Sequence, residues 1–311
     1  MPFVVGASAI VGSTYNHPVI LVQISRRAAI GAAAPLIGFL AACGAGTALG
    51  PTPTIPARVS DEWTPIIPAT DLAVGRNRFL YAVLDERGRP ILDARISLAF
   101  VDLADASPTL STPIEAPFHG YGLGEKGVYI ARADFAKAGD WGVEARIERS
   151  DGGSRTLRTR FRVKEASATP ALGAPAPPSR QALIAVAADP RIVCTATPTC
   201  PLHDITIADA LDRKRPALFV FSTPAYCTSA VCGPALDVVL AARAKQGDRI
   251  TFAHLEIFSD GALRTPTKTV EEWGLPSEPW VFLVGSDGRI AEKLEGGITA
   301  GELDEALARL A

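Results

Sequence analysis

Four of the five cysteines in this 311-residue chain fall in two close pairs, Cys194 with Cys200 and Cys227 with Cys232. Thiols so spaced serve as a bridge closing a short loop, as a redox pair, or as soft metal ligands. The backbone beneath them separates these uses. Residues five apart on a regular helix have Cα atoms about 8.6 Å apart, whereas a disulfide needs about 4.4–6.8 Å. Cys227 and Cys232 can therefore bond only if Cys227 lies in a loop ahead of the helix. Gly233-Pro234 favours a helix that starts just there, because proline suits a first turn. A helix N-terminus facing the sulfurs would stabilise a thiolate, the attacking species. No charged residue occurs from Ser222 to Pro234, so no cation adjacent in sequence contributes.

Cys194 and Cys200 flank Thr195-Ala196-Thr197-Pro198-Thr199. The expectation for them is a small structural disulfide. His203 follows Cys200 by three residues, which is metal-ligand spacing. A zinc site normally takes four ligands, so His254 and the other pair would have to complete one. His254 reads instead as an ordinary strand histidine within Thr251-Phe252-Ala253-His254-Leu255. The expectation is therefore no metal and no cofactor.

The fifth cysteine, Cys43, closes an apolar run that begins after Ser25-Arg26-Arg27 and ends Leu40-Ala41-Ala42. A basic start, a short apolar stretch and small residues before a cut describe an export signal. Residues 28–42 are too few to span a bilayer, which needs about 20. The ending resembles the lipobox of bacterial lipoproteins. That resemblance implies a lipid on Cys43, removal of residues 1–42, and a site of work on the extracytoplasmic face of the cell membrane. Disulfides persist there. Ser25-Arg26-Arg27 also resembles the start of a twin-arginine signal. The formal net charge of -2 offers no field to draw nucleic acid.

The elements that must position the cysteines follow from composition. Two stretches poor in charge and rich in Pro, Ala, Gly and Thr, 44–56 and 166–179, read as spacers. The predicted layout is a tether at 43–60, a domain at 61–165, a linker at 166–185 and a second domain at 186–311. Short strands at 78–84, 94–101, 127–133 and 141–147, separated by Gly, Pro and Asp, make the first domain an all-β sandwich. In its last strand Leu157, Thr159, Phe161 and Val163 alternate with Arg158, Arg160, Arg162 and Lys164. Period two puts the apolar set inward and the bases on a solvated face, or toward an anionic envelope surface. Leu72-Ala73-Val74-Gly75-Arg76-Asn77-Arg78, Gly127-Val128-Tyr129 and Ala138-Gly139-Asp140-Trp141-Gly142-Val143 resemble immunoglobulin-like domains of bacterial surface lipoproteins. Some such relatives handle copper through methionine and histidine. Here Met1 is the only methionine and His119 the only histidine of 61–165, so no metal site is expected in the sandwich.

From Ala217 the pattern alternates between strands and helices. Apolar strands are predicted at 217–221, 250–258, 280–284 and 289–294, with helices at about 234–245 and 301–310. Cysteines between the first strand and the helix, Glu278-Pro279 opening a third strand, and Gly296-Gly297 before a last helix resemble the thioredoxin fold over 217–311. The resemblance implies an α/β domain in which Pro279 follows a cis peptide bond. Glu278, Pro279 and Trp280 would then line a substrate groove. It also implies thiol–disulfide oxidoreductase activity, with Cys227 attacking and Cys232 resolving. The chain departs from thioredoxins in the longer cysteine spacing, and in Phe221 standing where their buried strand acid lies. An alternative alignment matches Cys232-Gly233-Pro234-Ala235 to the family's Cys-Gly-Pro-Cys.

Other readings remain open from sequence. A copper-binding or copper-delivery lipoprotein would pair Cys227 and Cys232 with His254. A peroxidase would use Pro224, Thr228 and Cys232. A non-catalytic surface binding module would keep its cysteines bridged. For the oxidoreductase the expected partners are extracytoplasmic thiol or disulfide proteins and a redox partner. The membrane would be reached through Cys43.

Overall fold

Alternation of apolar and polar residues builds the first half of the chain. The computed structural model describes residues 63–120, 126–260, 262 and 264–310. The export signal expected at 1–42, the lipid site expected at Cys43 and the tether expected at 43–60 lie outside the described residues. Eight strands form two four-stranded sheets: β1 (Thr64–Ile66), β2 (Gly75–Leu84), β3 (Ala94–Asp102), β4 (Ile114–Glu115), β5 (Phe118–Gly120), β6 (Gly127–Phe135), β7 (Gly139–Arg149) and β8 (Ser154–Val163). Their orders are β1-β2-β6-β5 and β4-β3-β7-β8. The inward residues of both sheets, Phe79, Ile96, Leu98, Phe135, Ile147 and Leu157 among them, make one core. Phe79 meets Phe100 edge to face at 4.9 Å, a geometry favoured by the ring quadrupoles.

The basic alternation of β8 has a specific outlet. Arg158 lies opposite Glu144 and Arg162 opposite Asp140 across the β7–β8 ladder. Arg158 donates to Glu144 at 2.6 Å, and Arg162 to Asp140 at 3.2 Å. Much of the expected basic face is thus paired with the neighbouring strand.

The second half is built on a sheet buried on both faces. Its elements are α1 (Ile207–Asp212), β9 (Ala217–Ser222), α2 (Cys232–Gln246), β10 (Thr251–Glu256), β11 (Phe258–Asp260), β12 (Thr265–Pro266), α3 (Lys268–Glu272), β13 (Trp280–Val284), β14 (Ile290–Glu295) and α4 (Ala300–Ala308). The main sheet runs β10-β9-β13-β14. β10 is parallel to β9, while β13 is antiparallel to both β9 and β14. Period two sorts β9 cleanly. Leu218 and Val220 pack with Leu236 and Val239 of α2 and Leu303 of α4. Phe219 and Phe221 pack with Ile207, Val270 and Trp273 on the other face. The regular structure of the described residues is mostly β-sheet, with sandwich-like sheets and a few helices. Among the described residues no helix is long and apolar enough to cross a membrane.

The proline-rich segment expected as a linker at 166–185 is hydrogen-bonded to both halves of the chain. Asp71 accepts from the backbone N–H groups of Ala168 (2.8 Å) and Thr169 (3.2 Å) and from the Ser167 hydroxyl. Further on, Gly173 and Ala176 donate to the carbonyls of Ile290 and Gly288, and Ala174 accepts from Ile290. Both halves consequently belong to one unit. Gly274 marks the closest approach. It has a φ of +60°, and a Cβ there would lie 2.3 Å from the Ala168 carbonyl oxygen. Gly274→Ala should cost about 1–3 kcal/mol through strain and overpacking. Denaturant midpoints measure it, and an unchanged midpoint would mean that the strap gives way freely.

Candidate functional site

The loop after β9 delivers Cys227, and the helix after it begins on Cys232. Cys227 is half-buried, and Cys232 is fully buried beneath it. The Cys232 backbone N–H donates to the Cys227 sulfur at 3.3 Å, and the Ser229 hydroxyl lies 3.3 Å from it. Unpaired N–H groups at a helix start carry partial positive charge, so they favour a thiolate placed there. The Cys227 thiol is pulled down to about 5. The Cys232 thiol hydrogen bond contributes most, Ser229 and the backbone N–H groups of Cys232 and Val231 add to it, and burial opposes them. The Cys232 thiol is pushed up, first by its bond to Cys227 and then by burial. Ala230, between the two, holds a φ of 57°, a left-handed conformation that an alanine rarely adopts.

The Glu278–Pro279 bond is cis. Glu278 has its carboxyl pushed above the usual range, chiefly by burial and next by the charge of Cys227, with Arg264 opposing. The Glu278 carboxyl thus interacts electrostatically with both sulfurs, although Phe221 leaves no acid on β9. Trp280 is buried on β13, stacked on Phe282 at 5.6 Å. Its ring indole donates to Ser277 at 3.1 Å, so it supports the Glu278–Pro279 turn from behind. A cavity of about 470 Å³ lies elsewhere, lined by Ser179, Arg180, Val193, Glu256 and Glu272 among others. Neither Cys227 nor Cys232 lines it; of the pair, only Cys227 reaches the surface.

The other pair differs from its sequence expectation. Cys194 and Cys200 are not bonded: their sulfurs are 3.9 Å apart, and both are free thiols. Two imidazoles join them. The Cys200 sulfur lies 3.2 Å from His203 Nε2 and 3.3 Å from His254 Nδ1. The Cys194 sulfur is 3.9 Å from His254 Nδ1, and the two ring nitrogens are 3.2 Å apart. All four residues are buried, with their ligand atoms within 4.8 Å of one another. This corrects the expectation of no metal-binding arrangement. It also removes His254 as a mate for Cys227 and Cys232, the grouping that copper delivery required. Residue spacing gave Cys200 and His203, but His254 is brought in by sheet pairing. The His254 backbone N–H donates to the Leu202 carbonyl at 2.8 Å, which stitches the 194–203 segment along β10.

No family model matches the chain, and no curated protein matches it. Solved structures match over about a third of it. MtrC from Shewanella baltica is 12% identical, with a TM-score of 0.24 over 33% of this chain and 22% of that one. The soluble domain of PmoD from Methylocystis is 16% identical, with a TM-score of 0.20 over 32% and 88%. A superoxide reductase (neelaredoxin) from Ignicoccus hospitalis is 17% identical, with a TM-score of 0.21 over 33% and 82%. The matched region thus spans about a fifth of MtrC's own chain.

Proposed function

We propose that Cys227 and Cys232 exchange thiols and disulfides with protein substrates, on a thioredoxin-like domain carried by an immunoglobulin-like sandwich. The chain would be exported and held at the membrane through lipid on Cys43. The observation that carries the reading is the helix start of α2 donating its first N–H to a half-exposed Cys227 sulfur, with Cys232 sealed directly below. Cys227 thiolate attacks one sulfur of a substrate disulfide, and the other sulfur leaves as a thiolate. Cys232 then gives up its proton and attacks the Cys227 sulfur. The second substrate sulfur leaves, and the pair ends as a disulfide, so two electrons have passed to the substrate. Glu278, whose raised carboxyl interacts electrostatically with both sulfurs, would take the Cys232 proton. A lowered thiol pKa also makes Cys227 a good leaving group, so the same steps run in reverse. The supply of a redox partner sets the net direction.

The test is the pH profile of Cys227 alkylation by iodoacetamide in the reduced full chain. The rate should be low while the thiol is protonated and rise to a plateau above a midpoint at about 5. Glu278→Gln removes a neighbouring negative charge and should move the midpoint lower. A midpoint near the ordinary thiol value of about 8.5 would sink the reading of Cys227 as an activated nucleophile. In the same protein, the reduction potential of the pair should lie above about -300 mV, the level below which disulfides are structural.

A further inference from the structure

We propose that Cys194, Cys200, His203 and His254 bind one divalent ion of the zinc class in a closed tetrahedral site. Two thiolates and two imidazoles form the donor set that zinc favours in sites that serve structure. Their spacing fits a tetrahedron. With Zn–S of about 2.3 Å and Zn–N of about 2.0–2.1 Å, the edges should be about 3.8 Å for S–S, 3.5 Å for S–N and 3.4 Å for N–N. Five of the six observed edges are 3.9 Å for S–S, 3.2, 3.3 and 3.9 Å for S–N, and 3.2 Å for N–N, and the sixth, from Cys194 to His203, lies within 4.8 Å, so one edge must draw in around an ion.

The surroundings orient the donors. His254 Nε2 lies 3.1 Å from the Ser222 carbonyl and 2.8 Å from the Ser222 hydroxyl. A carbonyl can only accept, so Nε2 carries the proton and Nδ1 keeps its lone pair toward the cysteines. Fixing a ligating histidine through its far nitrogen is the usual outer support of a metal site. The same scaffold touches the loop that carries Cys227. Thr195, next to Cys194, donates its hydroxyl to Glu256 at 2.7 Å and accepts from the Ala225 N–H at 3.2 Å. Bound metal would thereby hold Ser222 and Ala225, at the start of the loop that presents Cys227.

The test uses the reduced, metal-free full chain titrated with Co(II) alone. One equivalent should bind, giving strong thiolate-to-cobalt absorption in the near ultraviolet and the visible bands of tetrahedral cobalt. One equivalent of Zn(II) should bleach both. Cys194→Ser and His254→Ala should lose the signal, while the double variant Cys227→Ser with Cys232→Ser should keep it. Should the cluster variants fail to fold, wild type still decides. Zinc should raise its melting temperature and slow amide exchange at Ala225. The proposal is overturned if wild type takes up no cobalt, if the spectrum is that of octahedral cobalt, or if the signal follows Cys227 and Cys232. It is equally overturned if protein isolated without reductant carries a closed Cys194–Cys200 bridge. Apart from a signal that follows Cys227 and Cys232, none of these results bears on alkylation of Cys227, so failure of one proposal is distinguishable from failure of the other.

Discussion

Cys232→Ser should accumulate mixed disulfides with envelope proteins, whereas Cys227→Ser should accumulate none and lose disulfide reduction to background. The asymmetry follows from position. Cys227 reaches solvent and is stabilised as a thiolate, so it makes the first bond. Cys232 is buried under it with its thiol pushed up, so it acts only after a bond forms at Cys227. Removing the second sulfur therefore leaves attack intact and blocks release, and the intermediate persists. Non-reducing electrophoresis of tagged variants, followed by identification of the captured chains, reads this directly. Capture by Cys227→Ser in place of Cys232→Ser would establish the alternative alignment, with Cys232 as nucleophile. Capture by neither, with no turnover of a model disulfide by wild type, would leave a binding module.

Arg78→Met should destabilise the fold by about 3–5 kcal/mol, the usual cost of orphaning one partner of a buried ion pair. Arg78 leaves β2 of the sandwich and meets Glu302 of α4 through two parallel bonds of 2.7 and 2.8 Å. Both side chains are 4% exposed. The guanidinium also donates to the carbonyls of Glu295 and Gly297. Methionine would leave the Glu302 charge in the interface with only the longer contact to the half-exposed Arg132 at 3.6 Å, and would take away the donor to those carbonyls. Pairing it with Glu302→Leu should recover much of the loss, because the penalty is the unpaired charge more than the missing attraction. Urea unfolding of the single and double variants measures both terms. Equal losses in the two would refute the account.

The same interface should make stability fall in acid. Burial alone would raise the Asp71 carboxyl. Hydrogen bonds from Ser167, Ala168 and Thr169, with the charge of Lys293, outweigh it and hold it well below the usual range. A depressed folded value means that its stabilisation is complete above the unfolded value of about 3.9 and is lost as pH falls below it. Asp71→Asn should flatten this part of the pH–stability curve.

Most of the strands were legible because local pattern and tertiary role agree. β3, β6, β7 and β13 appear where apolar periodicity predicts them, and in β8 Leu157 and Val163 face the core while Arg158, Arg160 and Arg162 stay out. The helix start at Cys232 was also readable, from the reach of a disulfide and the Gly233-Pro234 pair. The contacts of the proline-rich strap were not legible because composition reports how stiff a segment is, but not what it lies against. Asp71, some 96 residues before Ser167 in the chain, decides that. The Cys194 pair was misread for a related reason. Spacing along the chain favoured a five-residue loop closed by a bridge, since only Cys200 and His203 are near enough to be seen as ligands. His254 joins them through the parallel register of β10 on β9 and through its backbone bond to Leu202. The sequence by itself determined most of the longer strands, the two longest helices and which sulfur could sit ahead of α2, because those depend on neighbours within a few residues. Only the tertiary structure decided that two cysteines and two histidines share one buried centre, because contacts between distant segments depend on sheet register, which no local pattern encodes.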